Sequence, residues 1–130
     1  MNHSLPDHLL ELLTQEERHL SLAPEAFFKA WKRGVELAGS QWFGSGNRED
    51  LVQAQSQWDL CPELARIKRG FGVLSNGERI FLAAMVSFYN AHEGATMLKR
   101  CHVEGLADLG GLDLQRRKVI AELLLHYSGW

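Results

Sequence analysis

A chain of 130 residues, 45% hydrophobic and 23% charged, fits one globular domain that can bury its own core. The net charge of −2 excludes the strongly basic balance of a dedicated nucleic-acid binder, and no apolar run approaches the roughly 18 residues that cross a bilayer. The first residues carry neither the positive start nor the apolar segment of a secretion signal, so we expect a cytoplasmic protein without membrane contact.

Two helices are predicted before the first glycine-rich loop. The first runs from Asp7 to about Leu20, because apolar residues recur there at helical spacing and would face the core. These residues are Leu5, Leu9, Leu12, Leu13 and Leu20. Pro24 suits the first position of a second helix that stops at Gly39. Gly34 lies inside its apolar stripe, which indicates either close helix packing or a kink.

Residues 39–47 form the clearest predicted loop, since three glycines and two serines resist regular structure. The loop carries Trp42 and Phe43, which are our first candidates for a protein contact, because aromatic anchors bury much area with few rotatable bonds. The alternative is that both fold back as a lid on the core. The same two alternatives, a protein contact or packing on the core, apply to Trp130 at the end of the chain.

Two short helices are predicted after this loop. Asn47 can cap a helix that runs to about Trp58, and Pro62 starts another over residues 63–69. Basic residues cluster around the glycines that follow, and we call this group the basic turn. It comprises Arg66, Lys68, Arg69 and Arg79. Clustered Arg and Lys can hold phosphates. The basic turn is therefore a second candidate binding site, either for a protein partner together with Trp42 and Phe43 or for nucleic acid.

Ser75 and Glu78 have the spacing of a capping box, which fixes the start of the next helix. Beyond this cap, apolar residues cover the whole helix circumference rather than one stripe, as in a central buried helix. We therefore predict an all-α, single-domain irregular bundle of five or six helices, built around a buried central helix at about 76–89. The domain would span residues 1–130.

The last third of the chain predicts two more helices. One covers residues 93–102 and the other follows a cap at Asp113, with a glycine-rich turn over 103–112 between them. The inward residues of the first would be Ala95, Met97, Leu98 and Cys101, and those of the second Val119, Ile120, Leu123, Leu124 and Tyr127. Cys61 and Cys101 belong to no Cys-x-x-Cys pair, so we expect free thiols.

Catalytic chemistry has little support in the sequence. Glu16 and His19 have the Glu-x-x-His spacing of a metal-binding helix face, but the pattern occurs once, and a solvated polar face explains it better. We expect no catalytic residue, metal or cofactor. The leading hypothesis is a small non-enzymatic protein that binds another protein through Trp42, Phe43 and the basic turn. The alternatives are a nucleic-acid-binding accessory protein and a metal-dependent enzyme.

Overall fold

The computed structural model describes residues 5–130, which fold into six α-helices joined by short loops and 3-10 turns. The helices are α1 (Asp7–Ala38), α2 (Arg48–Gln53), α3 (Leu64–Gly70), α4 (Asn76–Tyr89), α5 (Ala91–Arg100) and α6 (Leu114–His126). The 3-10 segments are Ser40–Trp42, Gln57–Leu60, Phe71–Val73 and Leu106–Gly111. No β-strand occurs within residues 5–130, which confirms the all-α prediction.

Helix α4 is the centre of the bundle, as predicted. The amide of Glu78 donates to Ser75 Oγ at 3.3 Å, and the amide of Ser75 donates to Glu78 Oε1 at 3.0 Å, so the capping box is complete. All seven residues from 80 to 86 are buried. The cap therefore sets the start of a helix that other elements surround.

Gly34 is the point at which α1 passes close to both α4 and α6. A Cβ atom added there would lie 2.6 Å from Met85 Cε and 3.1 Å from Val119 Cγ1. Of the two explanations for this glycine, close helix packing is confirmed, because a side chain would collide with both neighbouring helices.

The prediction of two helices before residue 39 is wrong, since α1 is one helix of 32 residues with Pro24 inside it. Proline removes one backbone donor and crowds the carbonyl one turn earlier, that of Leu20. Both Pro24 and Leu20 are exposed, so water can solvate that carbonyl and the helix continues past the proline.

The inward orientation predicted for the early leucines is also wrong. Leu5, Leu9, Leu12, Leu13 and Leu20 are between 39% and 60% exposed. The periodicity correctly indicated a helix, but periodicity alone does not reveal whether another element covers the apolar face.

Smaller corrections concern the remaining helices. Helix α2 ends at Gln53 rather than near Trp58, because a second capping box, formed by Ser56 and Asp59, starts a separate 3-10 turn. Ala95 on α5 is exposed. Leu124 and Tyr127, predicted to be buried, are 62% and 46% exposed and lie at the end of α6.

The two cysteines are free thiols, as expected: Cys101 is buried and Cys61 is partly buried. Burial raises the pKa of both thiols above the usual value.

Candidate protein-binding surface

Trp42 and Phe43 lie in the core, so of the two alternatives left open by the sequence the lid describes them. Phe43 is 1% exposed and stands edge-on to Trp31, with ring centroids 5.7 Å apart. Two backbone bonds draw the loop inward. The amide of Gly44 donates to Cys61 O, and the amide of Glu63 donates to Trp42 O, both at 2.8 Å. A partner cannot reach either ring without opening this loop.

Most cations of the basic turn are engaged within the chain. The Arg66 guanidinium donates to Gln41 O at 2.7 Å and also to Gly44 O, which holds the aromatic loop in place. Lys68 pairs with a Glu93 carboxylate oxygen at 3.2 Å.

Arg79 donates to Leu74 O and Gly72 O, both at 2.9 Å, and so closes the turn before α4. Arg69 is exposed. The basic turn therefore does not present four cations to a ligand, because three of them hold this chain's own carbonyl or carboxylate groups.

Trp130 also belongs to the body of the protein. Its ring lies 4.7 Å from that of Trp31, 5.1 Å from that of Tyr89 and 6.0 Å from that of Phe27, measured between centroids. The end of the chain thus closes one side of the aromatic core.

The Glu16 and His19 pair gains no further metal ligand. His19 Nε2 lies 2.8 Å from Leu125 O, and the imidazole stacks on that of His126, with centroids 5.3 Å apart. Residues 5–130 contain no group of three or more His, Cys, Asp or Glu side chains placed to hold a metal ion.

The feature that the sequence interpretation missed is an apolar face that no element within residues 5–130 covers. In the second half of α1, six residues are buried: Ala23, Phe27, Ala30, Trp31, Gly34 and Val35. Ala23, Phe27, Ala30 and Gly34 follow one another at steps of four and three. The same steps taken toward the N-terminus reach Leu20, Glu16, Leu13 and Leu9. Because residues at such steps share one side of a helix, Leu9, Leu13 and Leu20 continue the core-facing side of α1.

Among the described residues, no element covers this side, because α6 ends beside His19. Helix α6 runs antiparallel to α1, from a contact between Arg116 and Leu37 O at 3.4 Å to the contact of Leu125 with His19. Residues 7–18 of α1 project beyond that point by about 18 Å, at about 1.5 Å per residue. We call the exposed side of this projecting half the leucine face. It consists of Leu9, Leu12 and Leu13 of the projecting residues, together with Leu20 beside the end of α6.

The projecting half is acidic. Residues 7–18 contain four carboxylates and a single Arg or Lys, giving a net charge of −3 with histidines neutral. These charged residues are Asp7, Glu11, Glu16, Glu17 and Arg18. Where it meets the body, Leu125 of α6 borders the same shallow hollow as Glu16 and His19, so the apolar surface extends onto α6.

No protein-family model matches the chain, and neither does any of the curated proteins or solved structures with which it was compared. None of the helices within residues 5–130 combines the length and apolar character needed to span a bilayer.

Proposed function

We propose that this protein has a non-enzymatic role and works by binding another protein through the leucine face of α1. One observation carries the proposal: the side of α1 that builds the core continues, still rich in leucine, over a half that no other described element covers. Contiguous exposed apolar surface is uncommon on monomeric proteins and is typical of binding sites. An amphipathic helix with such a face is a common recognition element.

The proposal keeps protein binding as the role but changes the residues that perform it. Trp42 and Phe43 are packed in the core, whereas the leucines are accessible without any rearrangement. The projecting half of α1 also offers a partner more than one side of approach, because α6 reaches it only near His19.

Nucleic-acid binding has weaker support. Three cations of the basic turn are engaged within the chain, and the projecting half of α1 carries net negative charge, which repels phosphates. Retention on heparin that weakens steeply with added salt would favour nucleic acid over the present proposal.

The test uses a double variant in which Leu9→Ser and Leu13→Ser remove the centre of the leucine face. Both side chains are exposed, so the fold should persist. Cross-linking in extracts of the source cell, read by mass spectrometry, should recover a protein bound to the natural chain that the double variant loses. The same partner should slow amide hydrogen exchange in residues 5–22.

A matched control removes exposed apolar side chains elsewhere. Val52 and Val73 are 73% and 88% exposed, and neither belongs to α1. Val52→Ser with Val73→Ser should retain the partner. Recovery of the same proteins by all three chains would refute a binding role for the leucine face.

A further inference from the structure

We infer that the occupant of the leucine face is a basic amphipathic helix of another protein, an inference that rests on the proposed function. The shape of the site favours a helix. Leu9, Leu13 and Leu20, with Glu16 between them, follow the alternating steps of four and three residues that form the seam of a coiled coil. Such a seam on a projecting rod offers a ridge, not a pocket, and a second helix packs on a ridge side by side.

The charge of the site favours a basic partner. Glu16 occupies a seam position between Leu13 and Leu20, and Glu17 lies at the edge of the seam. No salt bridge forms to either carboxylate within residues 5–130. A partner helix would remove Glu16 from water, which is unfavourable unless a Lys or Arg on that helix pairs with it.

A second copy of this chain fits the site poorly. Pairing two projecting halves would bring together two segments that each carry net charge −3, and would place each Glu16 against leucine or another acid. Like charges at a helix interface oppose association.

A lipid surface also fits poorly. Helices that lie on membranes present Lys and Arg beside their apolar side, because the membrane surface is usually anionic. The projecting half has Arg18 as its single Arg or Lys, against four carboxylates.

The experiment uses two designed helical peptides of equal length with leucine at both seam positions, one with lysine and the other with glutamate at the flanking positions. Isothermal titration should show that the natural chain binds the lysine peptide, more weakly as salt is added, and binds the glutamate peptide at least about tenfold more weakly. Charge reversal by Glu16→Lys with Glu17→Lys should invert this preference. Circular dichroism checks that both variants keep their helix content.

The outcomes separate this inference from the proposed function. If the double serine variant loses its cellular partner but the natural chain binds both peptides equally or neither, the leucine face binds protein and the inference of a basic helix is wrong. Sedimentation that shows self-association abolished by Leu9→Ser with Leu13→Ser would overturn the inference in favour of a second copy. Binding to phosphatidylcholine vesicles, abolished by the same variant, would overturn it in favour of a membrane.

Discussion

Trp130, the last residue of the chain, stands edge-on to Trp31 of α1, with 4.7 Å between ring centroids and 77° between ring planes. Trp31 is fully buried, and its indole Nε1 donates to Leu60 O at 2.9 Å. The C-terminal residue therefore covers a side chain that is itself fixed by a buried hydrogen bond.

Replacement of this terminal side chain should destabilise the fold. Trp130→Ala removes edge-to-face contacts with several rings and exposes Trp31, so we expect the free energy of unfolding to fall by about 2–4 kcal/mol. Urea unfolding followed by circular dichroism measures this. Trp58→Ala is the comparison variant. Trp58 is 62% exposed and its ring meets that of Trp130, with 6.0 Å between centroids, so its loss should cost about 1 kcal/mol, less than the loss of Trp130. If Trp130→Ala and Trp58→Ala lower the free energy of unfolding equally, Trp130 does not cover Trp31.

The helix starts marked by a capping side chain were the most predictable part of the fold, because a cap needs only residues that are close in sequence. Ser75, Asn47 and Asp113 all accept the backbone hydrogen bonds that their positions predicted. The burial of α4 was equally visible, since a helix that is apolar all round has no side suited to water.

A second prediction concerns the packing of α5 on α4. A Cβ atom at Gly94 would lie 2.5 Å from both Cβ and N of Ser87, so backbone atoms would have to move. Gly94→Ala should therefore lower the free energy of unfolding by about 1–3 kcal/mol, although alanine favours helix more than glycine.

The control for Gly94 is another helical glycine. Gly77, in the first turn of α4, has no atom within 4 Å of an added Cβ. Gly77→Ala should raise stability by about 0.5–1 kcal/mol. Thermal unfolding of both variants checks the difference in sign, and a stabilising Gly94→Ala would show that α4 and α5 are farther apart.

A third prediction concerns acid pH and the cap of α6. Two hydrogen bonds lower the pKa of the Asp113 carboxyl below its usual value. The larger effect comes from the backbone amide of Arg116, at 2.9 Å, and the smaller from the Arg116 guanidinium. The unfolded chain therefore takes up this proton at higher pH than the folded chain does. The stabilisation is present above the unfolded pKa of about 4 and is lost as pH falls through the folded pKa.

Asp113→Asn isolates this effect, because asparagine still caps a helix but carries no charge. The natural chain should be more stable than the variant near pH 7, and the difference should shrink toward zero as the pH approaches about 2. Urea midpoints at several pH values measure the difference. If the difference in stability between the natural chain and Asp113→Asn stays constant with pH, the charge of Asp113 does not stabilise the fold.

The candidate site was much less predictable than the helix caps. Its recognition requires knowing that α6 ends beside His19, which is a tertiary fact, whereas the leucine periodicity is the same in a covered and an uncovered helix. Trp42 and Phe43 illustrate the reverse case. Their loop composition indicates exposure, but long-range backbone bonds to Cys61 and Glu63 draw them into the core.

A fourth prediction tests whether the leucine face contributes to this chain's own fold. Leu9→Ser with Leu13→Ser should change the free energy of unfolding by less than about 1 kcal/mol, since only helix propensity is lost at exposed positions. Phe27→Ala, on the covered half of the same side of α1, should cost about 3–5 kcal/mol, because Phe27 is 2% exposed. Urea unfolding at a concentration where sedimentation shows monomer measures both. A loss of several kcal/mol in the double serine variant would mean that the leucines are buried within the monomer, and would remove the surface on which the proposed partner binds.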